Sequence, residues 1–340
     1  MQWESVLAWR VGRQHLAERA SDPLAVVSDI CGLHAQVMSS AQLTLWARVE
    51  DAPDVETLLW ERNELVKTWA MRGTLHLLRT DELALYVGAQ GGLKPRYEQK
   101  SWLKHFELTP EDVEAILTEV PAALKDGPLT REELTERVHA GLSRGYGDLL
   151  KPVAFRGVLI FAPSEGQNVR FARPEPFEPI DTDEATRELA RRFLTRYGPA
   201  TREEFAKWFG APSPAAPGRW IRALGDDVAE TEFGWMLAAD VAACEAAAPS
   251  GVVRLLPAFD QYVVAAPRDD RATSIPERIY RPGGWFSPVL LVDGVMAGIW
   301  ARERDEVTIE PFADTGAEVR AAAEAEAARL PGTPTVIWQG

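Results

Sequence analysis

Two stretches of this chain share one pattern. Residues 126–141 are DGPLTREELTERVHAG and residues 197–210 are YGPATREEFAKWFG. Each carries a Gly-Pro turn, a threonine placed to cap a helix, acidic residues in the first helical turn and apolar side chains at i+4 spacing. A helical stretch precedes each copy and a β-rich stretch follows it. The echo constrains the fold, because it asks for repeated small helical units, each closed by a hairpin.

Residues 1–106 fit the same grammar. Val6, Leu7, Val11 and Leu16 have helical spacing over residues 3–18. Asp22-Pro23 supplies an N-cap and a first helical residue, and Gly32 is placed to end that helix. Ser39 or Ser40 is in position to cap a third helix through Trp46 and Arg48, and residues 55–62 predict a fourth. The period then changes. Residues 65–78, LVKTWAMRGTLHLL, predict two short strands about a turn at Arg72-Gly73. Helices followed by a small hairpin make the winged-helix pattern. Residues 81–88 resume helix and residues 91–106 form a basic and aromatic connector.

The second copy has a helix over 109–124 capped by Thr109, a helix opened by Thr130 and Glu133 as a capping box, and a hairpin over 158–171. The third has helices over 183–197, 202–208 and 220–224, a Pro/Ala-rich loop at 210–218, and a hairpin over 228–237. From Val252 the pattern is β: 253–256, 287–292, 295–300 and 307–312, with Asp293-Gly294 as a hairpin turn. A helix over 318–330 and a strand over 335–338 complete it. The expected fold is mainly α with small β-hairpins (α+β). Winged-helix motifs are expected at 1–106, 107–178 and 179–248, and a C-terminal α+β unit at 249–340.

The bulk properties narrow the function. The chain is 46% apolar and 26% charged, a globular composition, and its net charge of −14 disfavours a protein coated by nucleic acid. Arginines nevertheless cluster locally, and an acidic body with one basic groove restricts contact with DNA to that groove. Cys31 and Cys244 lie in apolar surroundings and are expected as buried thiols. No Cys/His metal spacing occurs, so no metal or other cofactor is expected. The opening residues are too polar for a signal peptide and no apolar run is long enough to span a bilayer. A soluble, cytoplasmic protein without membrane contact is the expectation, and a monomer in the absence of heptads.

No P-loop, GxGxxG, GxSxG or HExxH is present. The stretch that packing does not explain is CGLHAQVMSS at 31–40, where His34 and Gln36 sit in a polar break between apolar runs. Other candidates are Arg72 and His76 in the first hairpin, Arg156 and Arg170 about the second, and Asp260 and Tyr262 in PAFDQY. Arg268, Arg271 and Arg281 occupy a long loop shared with Asp269, Asp270 and Glu277. Each has a structural reading, as a paired, capping or core residue, beside a reading as a cleft or phosphate contact.

Several blocks together resemble the AlkZ-type DNA glycosylases: LHAQ with AQLTLWAR, LVKTWAMRGTLHLL, RYGPATREEFAKWFG, LLPAFDQY and VDGVMAGIW. They span nearly the whole chain in the family's order. The resemblance implies tandem winged helices with a concave DNA-binding surface, and excision of bulky or crosslinked N-alkylpurines, including antibiotic adducts. The family's Gln-x-Gln motif falls on His34-Ala35-Gln36. Gln36 matches the second position and His34 departs at the first.

An N7-alkylguanine already carries positive charge and leaves readily, so the enzyme has mainly to position water and stabilise an oxocarbenium-like sugar. A carboxamide oxygen at Gln36 can accept a hydrogen bond from that water. Neutral imidazole at His34 is a stronger base, and the ordinary histidine pKa of ~6.5 leaves it mostly neutral at pH 7. Retained activity with a pH dependence is therefore expected. No lysine looks poised as a nucleophile, so hydrolysis without lyase chemistry is favoured. Two other readings stand beside this one: a non-catalytic winged-helix regulator, and a small-molecule-sequestering resistance protein.

Overall fold

Capping within a few residues decides where several of the helices begin. In the computed structural model, which describes residues 1–339 except the side chain of Tyr146, Asp22 Oδ1 accepts from the N–H groups of Leu24 and Ala25 at 2.8 and 3.2 Å. Pro23 then opens the helix Pro23–Asp29. Thr109, Thr130 and Thr201 each form a capping box, completed by Asp112, Glu133 and Glu204. These boxes start Pro110–Ala123, Arg131–Arg137 and Arg202–Phe209. The hairpins also form as expected, at Leu65–Trp69 with Leu75–Arg79, Ile160–Glu165 with Asn168–Ala172, and Val228–Thr231 with Gly234–Leu237.

Other boundaries differ from expectation. The first helix, Trp3–Arg13, stops early because His15 adopts φ 57°, yet Leu16 is still fully buried. Neither Ser39 nor Ser40 caps the third helix. Met38–Trp46 starts from Val37 without a side-chain cap, and Ser40 faces inward. Residues 57–61 form a wide turn closed by Arg62 N–H to Thr57 C=O at 3.0 Å. The expected 91–106 connector contains the helix Lys100–Phe106, and the helix Ala215–Arg222 takes up the last four residues of the Pro/Ala-rich loop. Pro217 is tolerated there because it lies in the first turn, where its missing N–H breaks no intrahelical bond.

The chain is thus a mixed helix-and-sheet protein that divides into two compact units. One comprises residues 1–53, 190–208 and 212–340; the other comprises 54–189 and 209–211.

The first unit is built on a five-stranded sheet in the order Thr335–Trp338, Glu306–Pro311, Val295–Glu303, Val289–Val292, Val253–Leu256. All neighbours are antiparallel except the outermost strand, Thr335–Trp338, which runs parallel to Glu306–Pro311. Asp293 and Gly294, at φ 44° and 87°, make the tight turn their types favour. Alternation sends Val253, Leu255 and Leu290 to the face covered by Ala323 and Ala327 of the helix Ala317–Ala328. Leu256, Val289 and Leu291 face the other way, onto Val11, Leu16 and Ala47 from the N-terminal segment. That packing seats residues 1–53 on the C-terminal sheet. Phe193, Tyr197, Phe205 and Trp208 form a separate aromatic cluster in the same unit.

The second unit packs its hairpins around Trp69, Phe161 and Phe171, with ring centroids 4.8 to 5.9 Å apart. Leu117, Val120 and Leu134 of its helices close this core.

Candidate active site

Two left-handed residues turn the chain out of the helix Pro23–Asp29: Cys31 at φ 61° and Gly32 at φ 89°. The short strand Leu33–His34 follows, then Ala35 and Gln36, and Val37 begins the next helix. His34-Ala35-Gln36 therefore spans a break between two helices. Its side chains are treated differently. His34 is 4% exposed, while Gln36 is open to solvent.

The ring of His34 lies flat against Phe259, with centroids 4.6 Å apart and planes 5° from parallel. The backbone before it is held at successive points. Tyr197 donates its hydroxyl to Ile30 C=O at 2.7 Å, and Gln261 Nε2 donates to Gly32 C=O at 2.8 Å. One residue earlier, Asp29 accepts from His15 Nε2 at 2.6 Å and pairs with Arg196. Burial pushes the Asp29 carboxyl up, but the bonds from His15 and the Arg196 charge outweigh it and hold it below the usual carboxylate range.

Sequence reasoning named His34 and Gln36 but passed over Phe259, Gln261, Arg48, Tyr197 and Arg196. Phe259 and Gln261 lie in the PAFDQY block and Arg48 ends AQLTLWAR, so the signal was present only as blocks, without a pairing. Asp260 binds Arg48 in the interior, with both side chains fully buried and both contacts at 2.7 Å. It also caps the helix Gln261–Ala265 through Tyr262 N–H. Tyr262 is a core residue, 4% exposed, whose hydroxyl donates to Gly294 C=O at 2.8 Å and whose titration is pushed up by burial.

The arginine loop divides in two. Arg271 is tied to Asp269 and Glu204 at 2.9 and 3.4 Å and lies over the ring of Trp3. It anchors the loop. Arg268 and Arg281 are exposed. Arg268 rests over Tyr280 and Phe286, and Arg281 pairs with Trp285 across the small hairpin Tyr280–Arg281 and Trp285–Phe286. Trp285 is 54% exposed and its ring centroid lies 5.3 Å from that of Phe259.

In the second unit, Arg72 and His76 come together. Arg72 sits at φ 59° and its Nη2 lies 3.2 Å from His76 Nε2, while His76 Nδ1 lies 3.0 Å from Thr74 C=O. A neutral imidazole protonated on Nδ1 satisfies both contacts. Arg156 is exposed and donates to the Tyr97 hydroxyl, and Arg170 bonds Pro163 C=O within its own hairpin. Among the described residues no helix is long and apolar enough to cross a membrane.

Chemically, the first unit offers a solvent-facing carboxamide beside an imidazole stacked on Phe259, near an exposed aromatic hairpin that bears Arg281 and carries Arg268 against its rings.

The family model described as DNA glycosylase AlkZ-like matches residues 27–332. An interstrand DNA cross-link repair glycosylase of Streptomyces sahachiroi is 36% identical over 359 aligned positions, covering 96% of this chain and 95% of that protein. The solved structure of the Streptomyces sahachiroi DNA glycosylase AlkZ is similar throughout, with a TM-score of 0.91 at 32% identity and full coverage of both chains.

Proposed function

We propose, for a chain that belongs to the AlkZ-like DNA glycosylase family and is a DNA glycosylase, a monofunctional hydrolysis of the N-glycosidic bond of bulky or crosslinked N7-alkylguanines in double-stranded DNA. The observation that carries the reading is the contrast inside His34-Ala35-Gln36: a solvent-facing Gln36 next to an imidazole pinned by Phe259.

The lesion base is a cation, so breaking C1′–N9 sends the bonding pair into the base and releases it neutral. Water adds to C1′ of the sugar. The Gln36 carboxamide oxygen accepts a hydrogen bond from that water and aims it. His34, acting through the edge of its ring, takes the proton the water loses. General-base assistance of this kind is worth about 10²–10⁴-fold.

Residues 1–106, 107–178 and 179–248 act as winged helices in this reading, with 249–340 as a supporting α+β unit and the protein working as a monomer. Arg268 and Arg281 contact phosphates, as do Arg156 and Arg170. What supports a crosslinked substrate is the Streptomyces sahachiroi relative, an interstrand DNA cross-link repair glycosylase. Self-resistance to a DNA-alkylating natural product is the biological setting we assign to it.

The test is release of free adducted base from duplexes carrying methyl, bulky or crosslinking N7-guanine adducts. The wild-type protein should release base and leave the strand unnicked. Gln36→Ala should slow release by about 10²-fold or more. Absence of release from every duplex, or release by Gln36→Ala at the wild-type rate, overturns the reading.

A further inference from the structure

We infer that Phe259 is a positioning residue for His34, clamped in a strained conformation so that its ring fixes the plane of the imidazole. The inference rests on the proposed role of His34 in base release.

Three consecutive residues grip the catalytic segment at three places. Phe259 stacks on the ring of His34 itself. Asp260 holds Arg48, which follows the helix Met38–Trp46 that His34-Ala35-Gln36 leads into. Gln261 holds Gly32 C=O, two residues before His34. One short turn therefore binds the segment from before, above and after.

The backbone of that turn is unusual. Phe259 has φ 63°, a region where a bulky side chain is an outlier. Such strain persists only where the surroundings over-determine it. Here the surroundings are the fully buried Arg48–Asp260 pair and the buried Gln261. Buried ring pairs adopt edge-on as well as parallel arrangements, as Trp69 and Phe161 do at 61°; the 5° angle here lays the Phe259 ring along the plane of the imidazole. Phe259 also touches Trp285 and Phe286, with centroids 5.3 and 5.5 Å away, so the exposed hairpin bears on the same ring.

The test is a double-mutant cycle with two independent readouts. Phe259→Leu keeps an apolar side chain and removes the flat ring; Phe259→Tyr keeps the ring. His34→Gln restores a carboxamide at that position. Phe259→Leu is expected to lower kcat by about tenfold to a hundredfold, the scale of a misplaced catalytic group, with KM little changed. Phe259→Tyr should retain most of kcat. In the His34→Gln background the cost of Phe259→Leu should largely vanish, because the group it orients is gone.

The second readout needs no substrate. The ring protons of His34, assigned by their loss in His34→Gln, should resonate upfield in the wild-type protein and in Phe259→Tyr, and move downfield in Phe259→Leu. An equal kcat loss in both backgrounds, or an unmoved His34 resonance in a folded Phe259→Leu, overturns the inference. Failure of the wild-type protein to release base instead overturns the proposed function, and the resonance then still decides whether Phe259 orients the ring.

Discussion

Arg48 and Asp260 meet in the interior as a bidentate pair, Nη1 to Oδ2 and Nη2 to Oδ1 both at 2.7 Å, with neither side chain exposed. Removing one partner strands a buried charge. Asp260→Ala is expected to destabilise the protein by about 3–5 kcal/mol, and a paired Arg48→Met, Asp260→Leu variant to recover much of that loss. Chemical denaturation of the single and double variants measures both. A single variant within about 0.5 kcal/mol of wild type, the range of an inconsequential surface change, would contradict the assignment.

Gln36 stands in the opposite situation. Its side chain is exposed. Gln36→Ala should therefore change stability by no more than about 0.5 kcal/mol even where base release collapses. A thermal melt run beside the release assay separates loss of chemistry from loss of fold.

Acid should loosen the anchor of the segment that leads into His34-Ala35-Gln36. The Asp29 carboxyl, although pushed up by burial, is held below its ordinary value by His15 and Arg196. A folded-state pKa below the unfolded one contributes stability that is complete above the unfolded value of ~3.9 and is lost as pH falls through the folded value. Asp29→Asn should flatten that part of the acid limb, leaving the stability difference from wild type smaller at pH 3 than at neutral pH. Urea unfolding at the two pH values reads it; a difference independent of pH would show that Asp29 contributes no charge-dependent stability.

Gly210 has no room for a side chain. Its φ is 89°, and a Cβ there would lie 2.5 Å from Arg72 Cα and 2.7 Å from Arg72 N. Gly210→Ala should cost on the order of 1–3 kcal/mol, as overpacking against backbone does. It should also disturb the Arg72–His76 contact, visible as a shifted His76 resonance. An unshifted resonance with unchanged stability would mean that the two backbones separate freely.

The sequence by itself determined the local pieces of this protein. Asp22, Thr109, Thr130 and Thr201 were legible as caps, and Asp293-Gly294 as a turn, because each acts on groups within a few residues. The hairpin about Arg72-Gly73 was legible for the same reason. His34 and Gln36 stood out as polar residues that no core required, and the order of the blocks pointed to the family. Tertiary structure decided how those pieces meet. Asp260 in a turn sequence is equally compatible with an exposed cap and with a buried ion pair, and its partner lies 212 positions away. Phe259 carries no local mark of φ 63° or of a ring laid flat on His34. Caps and turns are settled by short-range hydrogen bonds, whereas the plane of the imidazole is settled by which distant side chains the folded sheet brings against it.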